Sequence, residues 1–344
     1  MQVANGVAIA LHAFNRTDLA DAATPTRKTP PFEIPRTKTA MKKLVRSAIH
    51  RFVSRAPWGV REAILDACID RIGPVEVSAK IFPRLGIAEV GAWGDLGLIR
   101  SAANDRVVMA AYAHTGAVEN TIVKQVQAFF GSHGGTYMDI GANIGLTTIP
   151  IARNPLVRCL AFEPEPGNFR FLKLNVACNV AADTVELHQV ALLDRAGTVS
   201  LAIADGNLGD HRVTRTGVPG RRSVEVSAVP LDDFYDRIEG PLALKIDTQG
   251  AEPYIVAGGR RVLARAGLLA IEFCPFLMRQ LGGDPGVVIE LMSQFDQVAL
   301  SEPGTDSEPI FLSPLQAQTA LHEKLRTARG NDGDYLDITA KRVR

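Results

Sequence analysis

The sequence lacks the features of a membrane-spanning protein and of a dedicated nucleic-acid-binding protein. No apolar run approaches the roughly 18 residues that a transmembrane helix needs, so we predict no transmembrane segment. Among its 344 residues, 38 basic and 37 acidic side chains leave a formal net charge of +1. This balance argues against the broad basic surface of a nucleic-acid binder, and we expect no nucleic-acid partner.

Cysteine is also scarce, and its spacing excludes two kinds of structure. The four cysteines are far apart and form no CxxC pair: Cys68, Cys159, Cys178 and Cys274. This pattern is typical neither of a zinc site nor of a disulfide framework. The histidines show no metal-ligand spacing either, so we predict no metal. We expect reduced cysteines in a cytoplasmic protein.

Composition and periodicity divide the chain into three parts. Residues 1–40 are rich in Thr, Ala and Pro and bury too little apolar surface to offset the entropy of ordering, so we expect a disordered tail. Residues 41–115 combine helical periodicity with short apolar runs, which predicts a helical lead-in and a small accessory layer. Residues 116–344 alternate strand and helix patterns and form the main domain.

The main domain has the pattern of an α/β protein. Five apolar segments predict strands, at 136–140, 158–162, 185–191, 242–247 and 268–273. Buried strands linked by helices favour a mostly parallel sheet with helices on both faces. Between residues 195 and 230 the pattern alternates with period two, which predicts an antiparallel insertion. Final strands are expected at 296–301, 309–313 and 334–341, two of them in an antiparallel hairpin.

The stretch YMDIGANIG places a carboxylate and two glycines where the first of these strands gives way to a helix. Ligands of open α/β sheets bind at the carboxyl ends of the strands. Gly141 and Gly145 allow a tight turn and a close approach of the backbone to a ligand. Glu163, at the end of the next strand, is placed to accept hydrogen bonds from a ribose diol, which indicates a cofactor containing adenosine. A compact turn without a ligand is the alternative.

Two features argue against a dinucleotide. The turn lacks the GxGxxG spacing that lets a pyrophosphate bind at a helix N-terminus. Asp139 directly precedes the turn, where its charge would repel a pyrophosphate but attract the amino group of S-adenosylmethionine. A sulfonium cofactor without phosphate therefore fits the motif better than NAD.

Three motifs in this order, YMDIGANIG, AFEPEPGNF and LKIDTQGAE, resemble the FkbM family of S-adenosylmethionine-dependent methyltransferases. The similarity runs from about Glu119 to Phe273. It implies a Rossmann-like class I methyltransferase fold with S-adenosylmethionine as cofactor. It also implies a hydroxyl of a sugar, glycan precursor or secondary metabolite as methyl acceptor.

The resemblance implies roles for individual residues as well. The residues that match the first motif, around the methionine part of the cofactor, are Asp139, Gly141, Asn143 and Gly145. Glu163 matches the acid that binds the ribose hydroxyls. The other implied cofactor contacts are Val190 and Ala191, closing the third strand near adenine, and Glu119, upstream of the first strand.

Two positions depart from the family pattern. Gln249 stands where the family has an acid and cannot act as one. Pro150 falls within the helix that follows the glycine turn, where a proline costs about 3 kcal/mol. We therefore expect that helix to be short or kinked.

Two carboxylates are candidates for the acceptor side of the site. Asp247 ends the fourth predicted strand and is expected to point into the cleft as a general base or an orienting group. Because a helix follows at once, a helix cap is the alternative role. Glu272 ends the fifth predicted strand and is assigned to substrate binding, with a structural role as the alternative. Lys245 shares the face of Asp247 and is expected to form an ion pair.

The segment ADGNLGDHRV is the predicted substrate loop. Asn207 and Asp210 are assigned to substrate binding. His211 is a second candidate general base, because a histidine titrates near neutral pH. An ordinary surface histidine is the alternative.

The leading hypothesis is a cytoplasmic S-adenosylmethionine-dependent O-methyltransferase that acts on a small-molecule or glycan acceptor. N-methylation stays open, because no base of certain identity is visible in the sequence. A cofactor-binding module without catalysis and an NAD-dependent oxidoreductase are the alternatives. The sequence does not indicate an oligomeric state.

Overall fold

The computed structural model describes residues 88–117, 121–181, 183–302, 308–328 and 330–343. The predicted tail and the predicted helical lead-in of residues 41–73 lie outside these ranges, as does Glu119. Within them, no helix has the length and apolar character needed to cross a membrane.

Strands and helices alternate along the described chain. The strands are β1 Glu89–Gly94, β2 Gly97–Ala102, β3 Gly135–Ile140, β4 Val157–Phe162, β5 Val185–His188, β6 Ala191–Leu193, β7 Gly197–Ala202, β8 Arg212–Thr214, β9 Ser223–Pro230, β10 Leu242–Ile246, β11 Ala266–Phe273, β12 Gln297–Ser301, β13 Phe311–Leu312 and β14 Leu336–Lys341. The α-helices are α1 Val108–Thr115, α2 Thr121–Phe130, α3 Thr148–Ala152, α4 Pro166–Asn179, α5 Glu252–Gly258, α6 Arg260–Arg265, α7 Pro275–Gln280, α8 Gly286–Leu291 and α9 Pro314–Thr327.

The main sheet has eight strands in the order β13-β12-β14-β11-β10-β3-β4-β5. From β11 to β5 the neighbouring strands pair in parallel. β14 lies antiparallel between β11 and β12, and β13 forms the predicted antiparallel pair with β12. A mostly parallel sheet of this kind confirms the predicted Rossmann-like α/β fold.

Helices cover both faces of this sheet, as β3 illustrates. Met138 packs in one core cluster with Ile255 of α5, whereas its neighbour Tyr137 packs in another with Val126 of α2. Successive side chains of a strand point to opposite faces. A strand that is apolar at consecutive positions is therefore buried on both sides, as the sequence pattern of β3 predicts.

The predicted strand 185–191 is wrong in its extent. β5 ends at His188 in the main sheet, and Ala191 begins β6, which pairs with β9 in a separate four-stranded sheet of order β6-β9-β7-β8. The physical reason is packing: β5 is half-buried at the sheet edge, whereas β6 is buried in the main core cluster. The predicted antiparallel insertion is present, since β7 pairs antiparallel with β8 and β9.

The accessory layer is a β-hairpin followed by a helix. β1 pairs antiparallel with β2, but the apolar run after it is helical, in α1. Asp105 explains where α1 begins, because its carboxylate accepts hydrogen bonds from the N–H groups of Val107, Val108 and Met109 at 3.1 Å. The first N–H groups of a helix have no partner inside the helix, so this side chain stabilises its start.

The helix after the glycine turn is short, as expected from Pro150. This helix, α3, has five residues and contains the proline in its first turn. The missing N–H of Pro150 costs no helical hydrogen bond there, because the first four N–H groups of a helix are unpaired.

Candidate active site

A cavity of about 710 Å³ opens at the carboxyl ends of β3, β4, β10 and β11. The starts of α1 and α2 and the loop before β8 form its other walls. Ten residues that the sequence assigns to the site line this cavity: Gly141, Asn143, Glu163, Val190, Ala191, Asn207, Asp210, His211, Asp247 and Glu272. The cofactor side and the acceptor side predicted from separate motifs therefore share one space.

The glycine turn at the end of β3 requires backbone conformations that favour glycine. Gly141 has a φ of 81°, and a Cβ atom there would lie 1.9 Å from the carbonyl oxygen of Asp247. Asn143 also has a positive φ, of 52°. Such a conformation is uncommon for a residue other than glycine and is typical of functional turns.

Glu163 faces the cavity with both carboxylate oxygens held by the backbone. Its Oε2 accepts a hydrogen bond from the N–H of Asn143 at 2.9 Å, and its Oε1 accepts one from the N–H of Glu165 at 2.8 Å. Burial raises the pKa of Glu163 to about 7, although these two hydrogen bonds oppose the shift. Each oxygen keeps a lone pair for a further donor.

Asp139 differs from its expected position. Its side chain is fully buried and does not line the cavity. Oδ2 accepts hydrogen bonds of 2.6 Å from the hydroxyls of Thr147 and Thr148, and Oδ1 lies 3.5 Å from the Nζ of Lys245. The carboxylate therefore supports the turn from below rather than facing a ligand. A buried carboxylate needs such partners, which the sequence places eight and more residues away.

Gly145 also lies away from the cavity lining. A Cβ atom at this position would lie 3.0 Å from Leu172 of α4 and 3.3 Å from Ile149 of α3. The glycine thus allows close packing of the two helices behind the turn. This position in the motif is needed for packing and not for contact with the cavity.

Lys245 connects the two sides of the cavity. Its ammonium donates a hydrogen bond of 2.8 Å to the carbonyl oxygen of Gly141 and lies 3.5 Å from both Asp139 and Asp247. The ion pair predicted for this lysine is therefore present, but with two carboxylates instead of one. Burial alone would lower the pKa of Lys245, and the charges of Asp247 and Asp139 outweigh that effect and raise it.

Asp247 lies directly after β10, with its side chain 43% exposed to the cavity. Burial would raise the pKa of Asp247, but the charge of Lys245 and the hydrogen bonds from neighbouring side chains outweigh it and hold the pKa below its ordinary value. The group is therefore a carboxylate at neutral pH. The alternative role as a helix cap is not observed, because α5 begins at Glu252 with no side-chain hydrogen bond at its N-cap, Ala251. The loop between β10 and α5 is held instead by Glu252, which accepts hydrogen bonds from the N–H groups of Thr248 and Gly250.

The predicted substrate loop contains two side chains with internal partners. Asp210 pairs with Arg212 and Arg221, so its carboxylate is not free to bind a substrate alone. His211 accepts a hydrogen bond at Nδ1 from the N–H of Ala204 at 3.1 Å. Burial lowers the pKa of His211, which leaves a neutral imidazole at the cavity.

Several residues at the cavity were not assigned from the sequence. Tyr335 and Asp337 line it from β14 and the residue before it, and Asp332 reaches Arg212 from the same end of the chain. Their only sequence signal is a strand pattern, which does not reveal that β14 lies beside β11. Asn168 of α4 lines the cavity as well. It belongs to the motif AFEPEPGNF, in which the sequence assigns a role only to Glu163.

Comparison with known proteins gives one family and one curated relative. Residues 139–299 match the family described as the methyltransferase FkbM domain. Methyltransferase sdnD of Sordaria araneosa is 42% identical over 65 residues, which cover 19% of this chain. The match spans 25% of the length of that relative.

Solved structures with a similar arrangement include two methyltransferases. The O-methyltransferase from Bacillus cereus in complex with SAH has 14% identity and a TM-score of 0.34, over 81% of this chain and 97% of that chain. The tRNA (uracil-54, C5)-methyltransferase of Pyrococcus abyssi has 12% identity and a TM-score of 0.35, over 74% of this chain and 44% of that chain. The fold assignment rests on the strand order above and not on these alignments. The family match includes the glycine turn, Glu163 and Asp247, so these residues lie in a segment that is similar to the methyltransferase FkbM domain.

Proposed function

We propose that the protein is an S-adenosylmethionine-dependent methyltransferase that acts on a hydroxyl of a small-molecule or glycan acceptor. One observation carries the proposal: the glycine turn, Glu163 and Asp247 face the same cavity. When bound, the cofactor supplies an electrophilic methyl group. The chain has to bind the cofactor, orient the acceptor and receive the proton of the hydroxyl.

The residues at the cavity suit a cofactor that has a ribose and no phosphate. The two backbone N–H groups on Glu163 fix its carboxylate, and its remaining lone pairs can accept hydrogen bonds from two ribose hydroxyls. Lys245 and Arg212, which line the cavity, already pair with carboxylates. Among the described lining residues, no unpaired lysine or arginine is left for a pyrophosphate. This supports S-adenosylmethionine over NAD.

The same cavity has an apolar surface that suits the adenine ring of the cofactor. Val190, Ala191 and Leu192 line it close to the end of β5, next to Phe162 at the end of β4. An adenine ring buries apolar area against such side chains, while the ribose lies toward Glu163. We assign these residues to the adenosine part of the cofactor.

On the acceptor side, Asp247 orients the hydroxyl and takes its proton. The Asp247 carboxylate stays ionised because Lys245 lies 3.5 Å from it. Such a weak base accepts the proton as the oxygen of the acceptor becomes positive during methyl transfer. The neutral imidazole of His211, also at the cavity, is the second candidate for this role.

Calorimetry separates the proposed cofactor from NAD. We expect S-adenosylhomocysteine to bind the purified full chain and NAD to give no heat of binding. Glu163→Gln should weaken S-adenosylhomocysteine about 10- to 100-fold, the effect of one or two charge-assisted hydrogen bonds. Tight binding of NAD would refute the proposal.

Transfer of a labelled methyl group then tests the reaction. The full chain is incubated with S-adenosylmethionine and a panel of hydroxyl-bearing sugars and metabolites. Labelled product is expected for at least one acceptor. Cofactor binding without transfer to any acceptor would favour a binding module without catalysis.

A further inference from the structure

Two carboxyl groups lie side by side at the acceptor end of the cavity. β10 and β11 pair in parallel with Ile246 opposite Ile271, so Asp247 and Glu272 follow at equivalent positions. Both line the cavity. The side-chain amide of Gln249 connects them, since its Nε2 donates to Asp247 Oδ1 at 3.1 Å and to Glu272 Oε2 at 2.7 Å.

The backbone conformation of Gln249 indicates that the surrounding structure holds its side chain between the two carboxyl groups. Its φ is 56°, a left-handed conformation that costs a residue other than glycine of order 1 kcal/mol. Such conformations persist where the surrounding structure requires them and are frequent at active sites. Here the conformation is found together with an amide placed between two carboxyl groups.

The surroundings favour the ionised form of Asp247 and the protonated form of Glu272. Lys245 lies 3.5 Å from Asp247 and stabilises its charge. Glu272 is 8% exposed and is surrounded by the acids Asp247 and Glu252 and, across the strand pair, Asp337. Burial, then the charges of Asp247 and Glu252 and a hydrogen bond with Asp247, raise the pKa of Glu272 well above its ordinary value.

The pKa values of three neighbouring groups, Asp337, Tyr335 and Glu252, are also raised. Burial raises the pKa of Asp337 to about 6 and that of Tyr335 to about 12, in both cases with Asp247 adding to the shift. Burial likewise raises the pKa of Glu252 to about 7. Asp337 is therefore mostly ionised at pH 7 and Glu252 at pH 8, so Glu272 lies among several negative charges that oppose its own ionisation.

We propose that Asp247 and Glu272 hold one proton between them, positioned by Gln249, and that this pair selects a neutral hydroxyl as acceptor. When an acceptor hydroxyl binds between the two groups, the shared proton stays on Glu272 and is donated to the hydroxyl oxygen, while the hydroxyl donates its own proton to the Asp247 carboxylate. An ammonium group only donates and would be better matched by two carboxylates. The selection of the acceptor rests on the proposed function, whereas the shared proton does not.

Infrared difference spectroscopy detects the proton without any turnover. At pH 8, Glu163 and Glu252 are largely ionised, so a band from a protonated carboxyl reports mainly on Glu272. We expect this band in the full-length wild type and its loss in Glu272→Gln. Identical spectra for the two proteins would overturn the proposal.

A matched pair at Gln249 gives a second test that leaves both carboxyl groups in place. Gln249→Glu adds a third carboxyl to the cluster and should add the band of one further protonated carboxyl. Gln249→Met has a similar size and should add none. Equal spectra for the two variants at pH 8 would also overturn the shared proton.

The choice of acceptor is tested with glucose and its amino counterpart glucosamine, and with further hydroxyl and amine pairs of this kind, in the labelled-methyl assay. Preference for the neutral member is expected, and preference for the cationic member would overturn the selection. These experiments distinguish a failure of the shared-proton proposal from a failure of the proposed function. No methylation of any pair, with the infrared band present, counts against the proposed function only.

Discussion

The side-chain amide of Asn143 donates a hydrogen bond of 2.8 Å to the carbonyl oxygen of Leu208. This bond joins the glycine turn at the end of β3 to the predicted substrate loop. Asn168 of α4 donates to the same oxygen, also at 2.8 Å. The loop that carries Asn207 and His211 is therefore held against the glycine turn and α4 by two amides.

Removing these amides should loosen the loop. Asn143→Gly deletes the side chain without penalising the positive φ, and Asn168→Ala deletes the second donor. We expect faster hydrogen exchange across residues 205–211 in each variant and more in the double variant. Exchange in β3, measured in the same samples, should stay unchanged. Unaltered exchange in the loop would show that the two bonds do not hold it.

Substitutions at two glycines with similar φ values distinguish the effect of backbone strain from that of steric overlap. Gly141 and Gly217 have φ values of 81° and 77°. A Cβ atom at Gly141 would lie 1.9 Å from the carbonyl oxygen of Asp247, whereas nothing lies within 4 Å at Gly217. Gly141→Ala should therefore abolish binding of S-adenosylhomocysteine, measured by calorimetry. Gly217→Ala carries the φ penalty alone and should bind normally.

Lys245→Met should destabilise the protein strongly. The change leaves the fully buried Asp139 without its cation, and breaking one partner of a buried ion pair costs about 3–5 kcal/mol. Urea denaturation measures the change in the free energy of unfolding. Lys124→Met, on an exposed position of α2, is the matched control and should change it by less than about 0.5 kcal/mol. Equal effects would contradict the role assigned to Lys245.

Binding of S-adenosylhomocysteine should depend on pH through Glu163. Its pKa of about 7 in the free protein means that the carboxylate is protonated progressively as the pH falls below 7. Protonation removes acceptor capacity for ribose hydroxyls, so affinity should fall by up to about tenfold per pH unit below this value. Calorimetry between pH 8 and pH 5.5 measures the trend. Glu163→Gln lacks the titrating group, and its weaker binding should vary much less.

The two candidate bases should differ in their effect on methyl transfer. Asp247→Asn keeps the shape of the side chain but removes its capacity to take a proton, and should lower kcat about 10²- to 10⁴-fold. His211→Ala should have a smaller effect on kcat, since its Nδ1 is occupied by the N–H of Ala204. Binding of S-adenosylhomocysteine is measured alongside. A larger loss of kcat in His211→Ala would reverse the assignment.

Much of the site follows from short motifs in the sequence. Gly141 and Glu163 lie where the motif and the strand pattern place them, because each directly follows a strand and parallel strands end at one edge of a sheet. The same reasoning brings Asp247 and Glu272 to the cavity. Local periodicity failed at residues 185–191, where it could not show that β6 leaves the main sheet for another.

The sequence by itself determined the α/β fold, the carboxyl edge of the sheet on which the cavity lies and ten of the residues that line it. The tertiary structure alone decided what those side chains contact. The buried Asp139 lies beside Lys245, although 105 residues lie between the two in the chain. Asp337 reaches Glu272 because β14 pairs with β11. Periodicity reports which face a residue occupies, whereas ion pairs and shared protons depend on the register between strands that are distant in sequence.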